Sequence, residues 1–564
     1  MNRPSYMTVD ATAPNPVKFS RYEDVFPVLE PAQVDRLASL GQTRQTRPGE
    51  VLVEQGQAEF PFFVVKSGRL ELVRPSRTGY EVVVVVGPGQ FTGEINSISG
   101  RRGIFRLRVA EPGEVIELSR ERLLNLVQND EELGAIVMRA FLLRRAELVA
   151  SGTGDVVLVG SQHSAQTLKI KEFLMRNGHP YTYIDLERDP EVETFFKTFD
   201  FGPEDVPVVI CRGQNILKNP SNQKLADCLG FNVSVDQTQL RDVAVVGAGP
   251  SGLAAAVYAA SEGLDVLVVE TTSPGGQAGS SSRIENYLGF PTGITGQELA
   301  TRAYSQAEKF GAQMLIATVT RLACDRNPHV IEVDDGARIS ARTVVIATGV
   351  EYRKLPLPNV PRFEGAGIYY GATYVESQLC AGDEVIVVGG GNSAGQAAVF
   401  LAQTTRRVYL LIRSGGLSET MSRYLSRRIE ETPAIVLKPH TEIVALEGDD
   451  HLESVRWRNN QTGETEDHAI RHIFLMMGGI PNTTWLDRCV ALDANGFIKT
   501  GPELSPEELD AAHWPLTRKP FLLETSVPGV FAVGDVRAGN VKRVASAVGE
   551  GSIAISFVHQ ALHE

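Results

Sequence analysis

Short apolar runs separated by glycine turns dominate the first quarter of the chain, and longer strand–helix alternation dominates the rest. Between about Arg21 and Val149 the runs are Val51–Val53, Phe62–Val65, Arg69–Val73 and Glu81–Val86, broken by Gly49, Gly56, Gly68, Gly79 and Gly87. Short strands with glycine turns predict an all-β jelly roll. A helix is predicted from Glu121 to about Leu148, where apolar residues fall at helical spacing. Ala150-Ser-Gly-Thr-Gly154 reads as a linker. Beyond it come a strand (Val156–Gly160), a helix (Ala165–Asn177) and a strand (Tyr181–Asp185). Asp205–Ile210 then carries a Val206–Pro207 step, expected to be a cis bond at a strand edge. After a polar connector, Gly230–Arg241, the apolar runs at Val243–Val246, Val266–Val269, Val344–Ala347, Glu384–Val388 and Val408–Ile412 predict buried strands of an α/β architecture.

Two of these strands open into glycine turns. Asp242–Val246 leads into Gly247-Ala-Gly249-Pro250-Ser251-Gly252, then an alanine-rich helix, then a second strand ending in Glu270. In such a unit Gly247 permits the tight turn. Gly249 leaves room for a pyrophosphate, Gly252 lets helix pack on strand, and Glu270 accepts from ribose hydroxyls. Phosphate would sit on the free N–H groups at the helix start. The unit recurs at Asp383–Val388, Gly389-Gly-Gly391-Asn392-Ser393-Ala394, but its second strand ends in Arg413 instead of an acid. A cation there suits the 2′-phosphate of NADPH, and Arg423 stands near in sequence.

At 564 residues, with 43% apolar and 22% charged residues, the chain is expected to form several soluble domains. The net charge of −13 argues against a nucleic-acid surface. Five cysteines at 211, 228, 324, 380 and 489 include no Cys-x-x-Cys, so no disulfide framework is expected and a reducing cytoplasm is. The uncharged stretch Val243–Ser261 contains the glycine turn, so no membrane span is expected, and no metal site either. Met1 to about Ser20 reads as a loose tail.

Residues 21–150 resemble the cyclic-nucleotide-binding domain family through Arg47-Pro-Gly-Glu50, Phe62–Leu70 and Pro88-Gly-Gln-Phe-Thr-Gly93-Glu94. The resemblance implies an effector site at Gly93 and Glu94. The family's phosphate-clamping Arg-Ser/Thr-Ala is absent: Ile104 holds the matching position, with Arg101, Arg102 and Arg106 nearby. Packing, dimerisation or another effector stay open as roles. Residues 154–232 resemble the thioredoxin/glutaredoxin fold, but its dithiol positions read Ser161-Gln-His-Ser164, which cannot form a disulfide.

Residues 240 to 564 resemble the thioredoxin-reductase branch of the flavin disulfide reductases. The motifs are the two glycine turns, Pro274-Gly275-Gly276-Gln277, Arg283-Ile-Glu-Asn286, Ala347-Thr348-Gly349, Gly534-Asp535 and Lys542-Arg543-Val544. The resemblance implies an FAD domain (240–357 and 482–564) and an inserted NAD(P)H domain (358–481). It places Gly275, Gly276, Gln277, Asn286, Ala347, Thr348, Gly349, Gly534, Asp535, Arg543 and Val544 at FAD. It also implies a homodimer and a rotation of the nicotinamide domain to reach the flavin. The family's redox cysteines would stand where this chain has Tyr370 and Thr373. The implied activity is thus NADPH oxidation through FAD with an external acceptor and no internal dithiol. Ferredoxin/flavodoxin–NADP reductase-like electron transfer, a ligand-gated redox sensor and a scaffold with a structural flavin are the alternatives.

Overall fold

The computed structural model describes residues 22–564 except 59, 77–78, 151–155, 162–163, 187–204, 212–214, 233–234, 237, 325 and 419. The expected tail and the 150–154 linker therefore lie almost wholly outside the described residues. The chain divides into two compact units: residues 1–157 with 180–182 and 210–215, and the remainder.

The first unit is the predicted β-rich module. Strands β1 (Gln42–Gln45), β2 (Val51–Val53), β3 (Phe62–Val65), β4 (Arg69–Ser76), β5 (Gly79–Val86), β6 (Arg106–Glu111) and β7 (Glu114–Leu118) form two antiparallel sheets, β1-β7-β3 and β2-β6-β4-β5. The single helix expected over 121–148 is two: α1 (Arg120–Asn129) and α2 (Glu131–Ala150). Asp130 breaks it. Its backbone is extended and its carboxylate accepts from the Leu133 N–H, so it ends one helix and caps the next.

In the strand–helix segment that follows, β8 (Val156–Gly160), α3 (Ala165–Arg176), β9 (Tyr181–Asp185), β10 (Val208–Cys211), β11 (Asn215–Lys218) and α4 (Asn222–Leu229) give a four-stranded sheet ordered β11-β10-β8-β9. The Val206–Pro207 bond is cis.

The rest of the second unit is α/β. β12 (Arg241–Val246), α5 (Pro250–Ser261), β13 (Val266–Glu270), α6 (Gly296–Lys309), β14 (Gln313–Ile316), β15 (Val319–Ala323), β16 (His329–Val333) and β17 (Arg338–Ile346) build a sheet ordered β14-β13-β12-β17-β16-β15. Val243–Val246 are all buried, so the run is apolar without alternation, as a central parallel strand requires. β18 (Val350–Tyr352) then leads to a second parallel sheet, β19-β26-β20-β21-β22. It comprises β19 (Ile368–Tyr369), α7 (Tyr374–Leu379), β20 (Glu384–Val388), α8 (Asn392–Leu401), β21 (Arg407–Leu411), α9 (Arg423–Glu430) and β22 (Ile435–Lys438). An antiparallel flap, β23 (Thr441–Glu447), β24 (Ser454–Asn459) and β25 (Thr465–His468), precedes its last strand, β26 (His472–Leu475). The chain returns through β27 (Gly479–Pro481), which pairs antiparallel with β18. β28 (Val530–Ala532) joins β17, and α10 (Val544–Leu562) closes the fold.

Cys324, after β15, and Cys489 form a disulfide with Cα atoms 5.9 Å apart across 165 residues. Sequence spacing carries no sign of it, because a pair so far apart is joined by tertiary structure alone. Among the described residues no helix is long and apolar enough to cross a membrane.

Candidate active site

Register brings the first cradle together. Val246 lies beside Val269 on one side and Ile346 on the other, and Ile346 lies beside Ala532. The residues that follow, Gly247, Glu270, Ala347-Thr348-Gly349 and Gly534-Asp535, therefore gather at one carboxyl edge of the sheet, the usual place for a ligand in such folds. Gly247 has φ +102°, and a Cβ there would lie 2.5 Å from the Ala347 carbonyl oxygen. A Cβ on Gly252 would come 1.9 Å from the Gly247 carbonyl oxygen. Gly249 meets nothing within 4 Å, so the space above the start of α5 is open. Pro250 and Ser251 form the first turn of α5, and a Cβ on Gly534 would strike the Ser251 hydroxyl at 2.4 Å.

Carboxylates and amides brace this edge. Glu270 accepts from the Ala248 N–H at 2.7 Å and from Thr272 N–H at 3.0 Å. Thr348 Oγ1 donates to the Asn482 carbonyl, and Asn482 Nδ2 returns a bond to the Thr348 carbonyl, both at 2.9 Å. Glu550 on α10 accepts from the Gly534 N–H at 2.7 Å. Burial pushes the Asp535 carboxyl above its ordinary range, with Lys542 opposing. Arg543 caps α10 and Val544 is its first residue. Both amide atoms of Asn540, between Asp535 and α10, are buried with no partner among the described residues, a cost that a bound polar group would relieve. Asn540 belongs to no motif, so no local pattern of residues marks it.

The second cradle repeats the plan. Val388 lies between Leu411 and Leu475. Gly389 has φ +144°, a Cβ there would lie 2.4 Å from the Met476 carbonyl oxygen, and Gly391 faces open space. Gly391 caps α8, which begins Asn392-Ser393-Ala394. Asn392 Oδ1 accepts from Ser422 N–H at 2.8 Å, and Ser393 bonds the Tyr352 hydroxyl. Arg413 and Arg423 are both exposed. A small cavity of about 30 Å³ is lined by residues of both halves, among them Gln277, Ser280, Tyr352, Ala372, Ser393 and Met476. Gln277, in the loop whose Gly275 and Gly276 have positive φ, donates to the Val350 carbonyl. Asn286 is exposed on its turn, and its neighbour Glu285 pairs with Arg428 of α9 at 3.0 Å.

Residues 241–551 match the model of the pyridine nucleotide-disulphide oxidoreductase family. The chain belongs to this family. Residues 43–130 match the cyclic nucleotide-binding domain. The chain is 34% identical to a thioredoxin reductase of Treponema pallidum (strain Nichols) over 56% of its own length and 94% of that protein's. It is 28% identical to a thioredoxin reductase of Bacillus subtilis (strain 168) over 58% and 97%. Among solved structures it resembles Lactococcus lactis thioredoxin reductase in its FR conformation, at 27% identity and TM-score 0.51, covering 57% of this chain and 99% of that one.

This family member is therefore an NAD(P)H-dependent flavin oxidoreductase whose cofactors are FAD and NADPH. The open space above Gly249 and Gly391, and the orphaned amide of Asn540, fit them. At Tyr370 and Thr373, the positions compared above with a redox pair, the side chains are engaged in hydrogen bonds. The Tyr370 hydroxyl donates to Glu364 at 2.7 Å. Thr373 donates to Glu376 through its N–H, at 2.9 Å, and its hydroxyl. Burial raises the Glu376 carboxyl above its ordinary range. Cys380 is buried in the nicotinamide-side core, which pushes its thiol up to about 12 and disfavours the thiolate.

In the amino-terminal unit, Glu94 is buried and pairs with Arg145 of α2 at 2.7 Å, and Arg145 also bonds Asn96. Gly93 has φ +89° and would press a Cβ on Ser97 and Phe141. Ile104 is buried, and Arg106 pairs with Glu54 at 2.8 Å. The adjoining cavity is mostly apolar, with Leu72, Val83, Val86, Phe105 and Leu148 on its wall. Arg144, held by the carbonyls of Val25, Phe91 and Gly93, lies at its edge, and burial lowers its guanidinium to about 9.

Proposed function

We propose that this protein is a flavoenzyme that carries electrons from NADPH to an external acceptor with no internal dithiol. FAD, when bound, supplies the two-electron chemistry, taking hydride from NADPH and passing electrons onward. The chain's own residues bind and orient. The α5 turn and Glu270 hold the dinucleotide, Asp535 serves the flavin's sugar-like chain, and the α8 turn with Arg413 serves NADPH. The observation that carries this reading is the pair of glycine cradles, each with open space at its middle glycine, together with a Tyr370–Thr373 segment that has no sulfur.

In the same reading the amino-terminal unit reads an effector. A buried Glu94 answered by Arg145, with Ile104 where a phosphate clamp would stand, favours an effector other than a cyclic nucleotide. The enzyme is proposed to act as a cytoplasmic homodimer. Anaerobic addition of NADPH to the full-length yellow protein tests the core of this. The flavin bleaches, and a screen of disulfides, quinones, oxygen, ferredoxin and flavodoxin reveals the acceptor. A flavin that is never bleached sinks the reading, as does thiol mapping that finds a cysteine cycling with turnover. Repeating the assay with cyclic AMP and cyclic GMP is expected to leave the rate unchanged.

A further inference from the structure

Helix α3 touches both nucleotide-binding halves. At its amino end Ala165 lies against Gly365: a Cβ on that glycine would come 2.6 Å from the Ala165 Cβ. One turn on, Leu168 is buried in the apolar cluster that contains Tyr369, Ala372, Cys380 and Val385 of the nicotinamide half. Lys169 and Glu172 place charge beside Glu364 and Glu376, the two acids that hold Tyr370 and Thr373.

The carboxyl end of α3 belongs to the flavin half. Arg176 Nη2 donates to the Gly276 carbonyl at 2.6 Å. Asn177 Nδ2 donates to the Thr272 carbonyl at 2.9 Å, and Gln297 Nε2 donates to the Arg176 carbonyl at 3.0 Å. Gly276 in turn approaches Gly249, where a Cβ would stand 3.0 Å from the Gly249 Cα. Past α4, Asn232 exchanges two bonds with Ile316 of β14, at 2.9 and 3.1 Å. The segment is thus fastened by apolar packing at one end and directed hydrogen bonds at the other, across a helix about 18 Å long.

We propose that α3 is a strut that holds the flavin-binding and nicotinamide-binding halves in one mutual orientation through turnover, with Arg176 as a positioning residue for the Gly275–Gln277 loop. A swing of the nicotinamide half would draw Leu168 out of its core or Arg176 off Gly276. Without a dithiol, the nicotinamide half has only the flavin to serve, so a single fixed orientation is enough if it is the one in which hydride passes, which the test below decides. The strut also gives the module that lacks the dithiol motif a role: it covers the Gly365–Ala372 stretch from within the same chain. This inference rests on the NADPH-to-flavin reading above.

The test uses the full-length flavoprotein carrying Glu285→Cys and Arg428→Cys, whose native side chains meet across the two halves. The thiols are bridged with a short cleavable bis-maleimide. NADPH is expected to bleach the flavin of the bridged protein at a rate within about twofold of the unbridged one. A fall of more than roughly tenfold, recovered on cleavage, shows that the swing is needed and overturns the strut. If the unbridged variant and the parent protein are not bleached either, the NADPH reading itself has failed, and hydrogen exchange then decides on the strut. Arg176→Ala is expected to speed exchange across 275–281 in protein with and without FAD and to weaken FAD retention roughly tenfold, with Arg176→Lys restoring both. Leu168→Ala is expected to speed exchange across 368–379. Unchanged exchange in both variants overturns the proposal.

Discussion

Glu376 accepts from the Thr373 backbone and hydroxyl while burial holds its carboxyl above the ordinary range. A carboxyl raised in the folded state binds more protons there than in the unfolded chain. Its contribution is therefore most favourable below the unfolded carboxylate range and is lost as pH rises through the folded value. Glu376→Gln keeps an acceptor for Thr373 and cannot ionise. Its thermal midpoint is expected to exceed the parent's at pH 8 and to converge on it as the pH falls below the carboxylate range. A gap that is constant with pH means that Glu376 does not titrate abnormally. Arg413 is exposed, stands two residues past β21 and is the residue proposed to meet the 2′-phosphate. Arg413→Ala is expected to weaken NADPH by roughly tenfold and leave NADH unaffected, as loss of a charge-assisted bond predicts. Flavin-reduction titrations with both nucleotides check this, and unchanged selectivity removes Arg413 from the site.

The turn between β12 and α5 separates packing from binding. Gly252 has no room for a side chain against the Gly247 carbonyl, whereas Gly249 faces open space at an ordinary φ of −67°. Gly252→Ala is expected to destabilise the apoprotein by about 3 kcal/mol, through overpacking against backbone. Gly249→Ala is expected to leave the apoprotein's unfolding curve unchanged and to weaken FAD at least about tenfold, because its methyl would fill the open space where phosphate is proposed to sit. Denaturant curves with and without FAD distinguish the two. The close packing at Gly252 and the open space at Gly249 were legible in the sequence, because strand, turn, helix and terminal acid are contiguous. The break at Asp130 was less so, since apolar spacing runs on through it and a single capping carboxylate decides it. Arg176 and Asn177 were not legible, as their partners at Gly276 and Thr272 lie 100 and 95 residues away. Asn540 became notable through its burial, which no local pattern encodes.

At the scale of the molecule, the Cys324–Cys489 bridge fastens β15 to the stretch that re-enters the flavin half after the insertion. Both cysteines pack against the core formed by residues such as Leu322, Ile331 and Leu486. Closing so long a loop is expected to stabilise the fold by about 2–5 kcal/mol, so dithiothreitol or Cys324→Ser should lower the midpoint of chemical unfolding correspondingly. Identical curves with and without reductant show the thiols to be free in the protein.

The ribbon of β18 and β27 carries a consequence for how the chain was assembled. Tyr352 stands directly opposite Gly479, so the excursion from one sheet to the other departs and returns at a single doorway. Residues 353–478 could then be excised and the two ends sewn together by a two-residue hairpin, since adjacent antiparallel strands accept so short a join. The remnant should emerge from purification still coloured, yet deaf to reduced pyridine nucleotide: a cassette architecture in which one dinucleotide holder was slotted into another through a seam two strands wide.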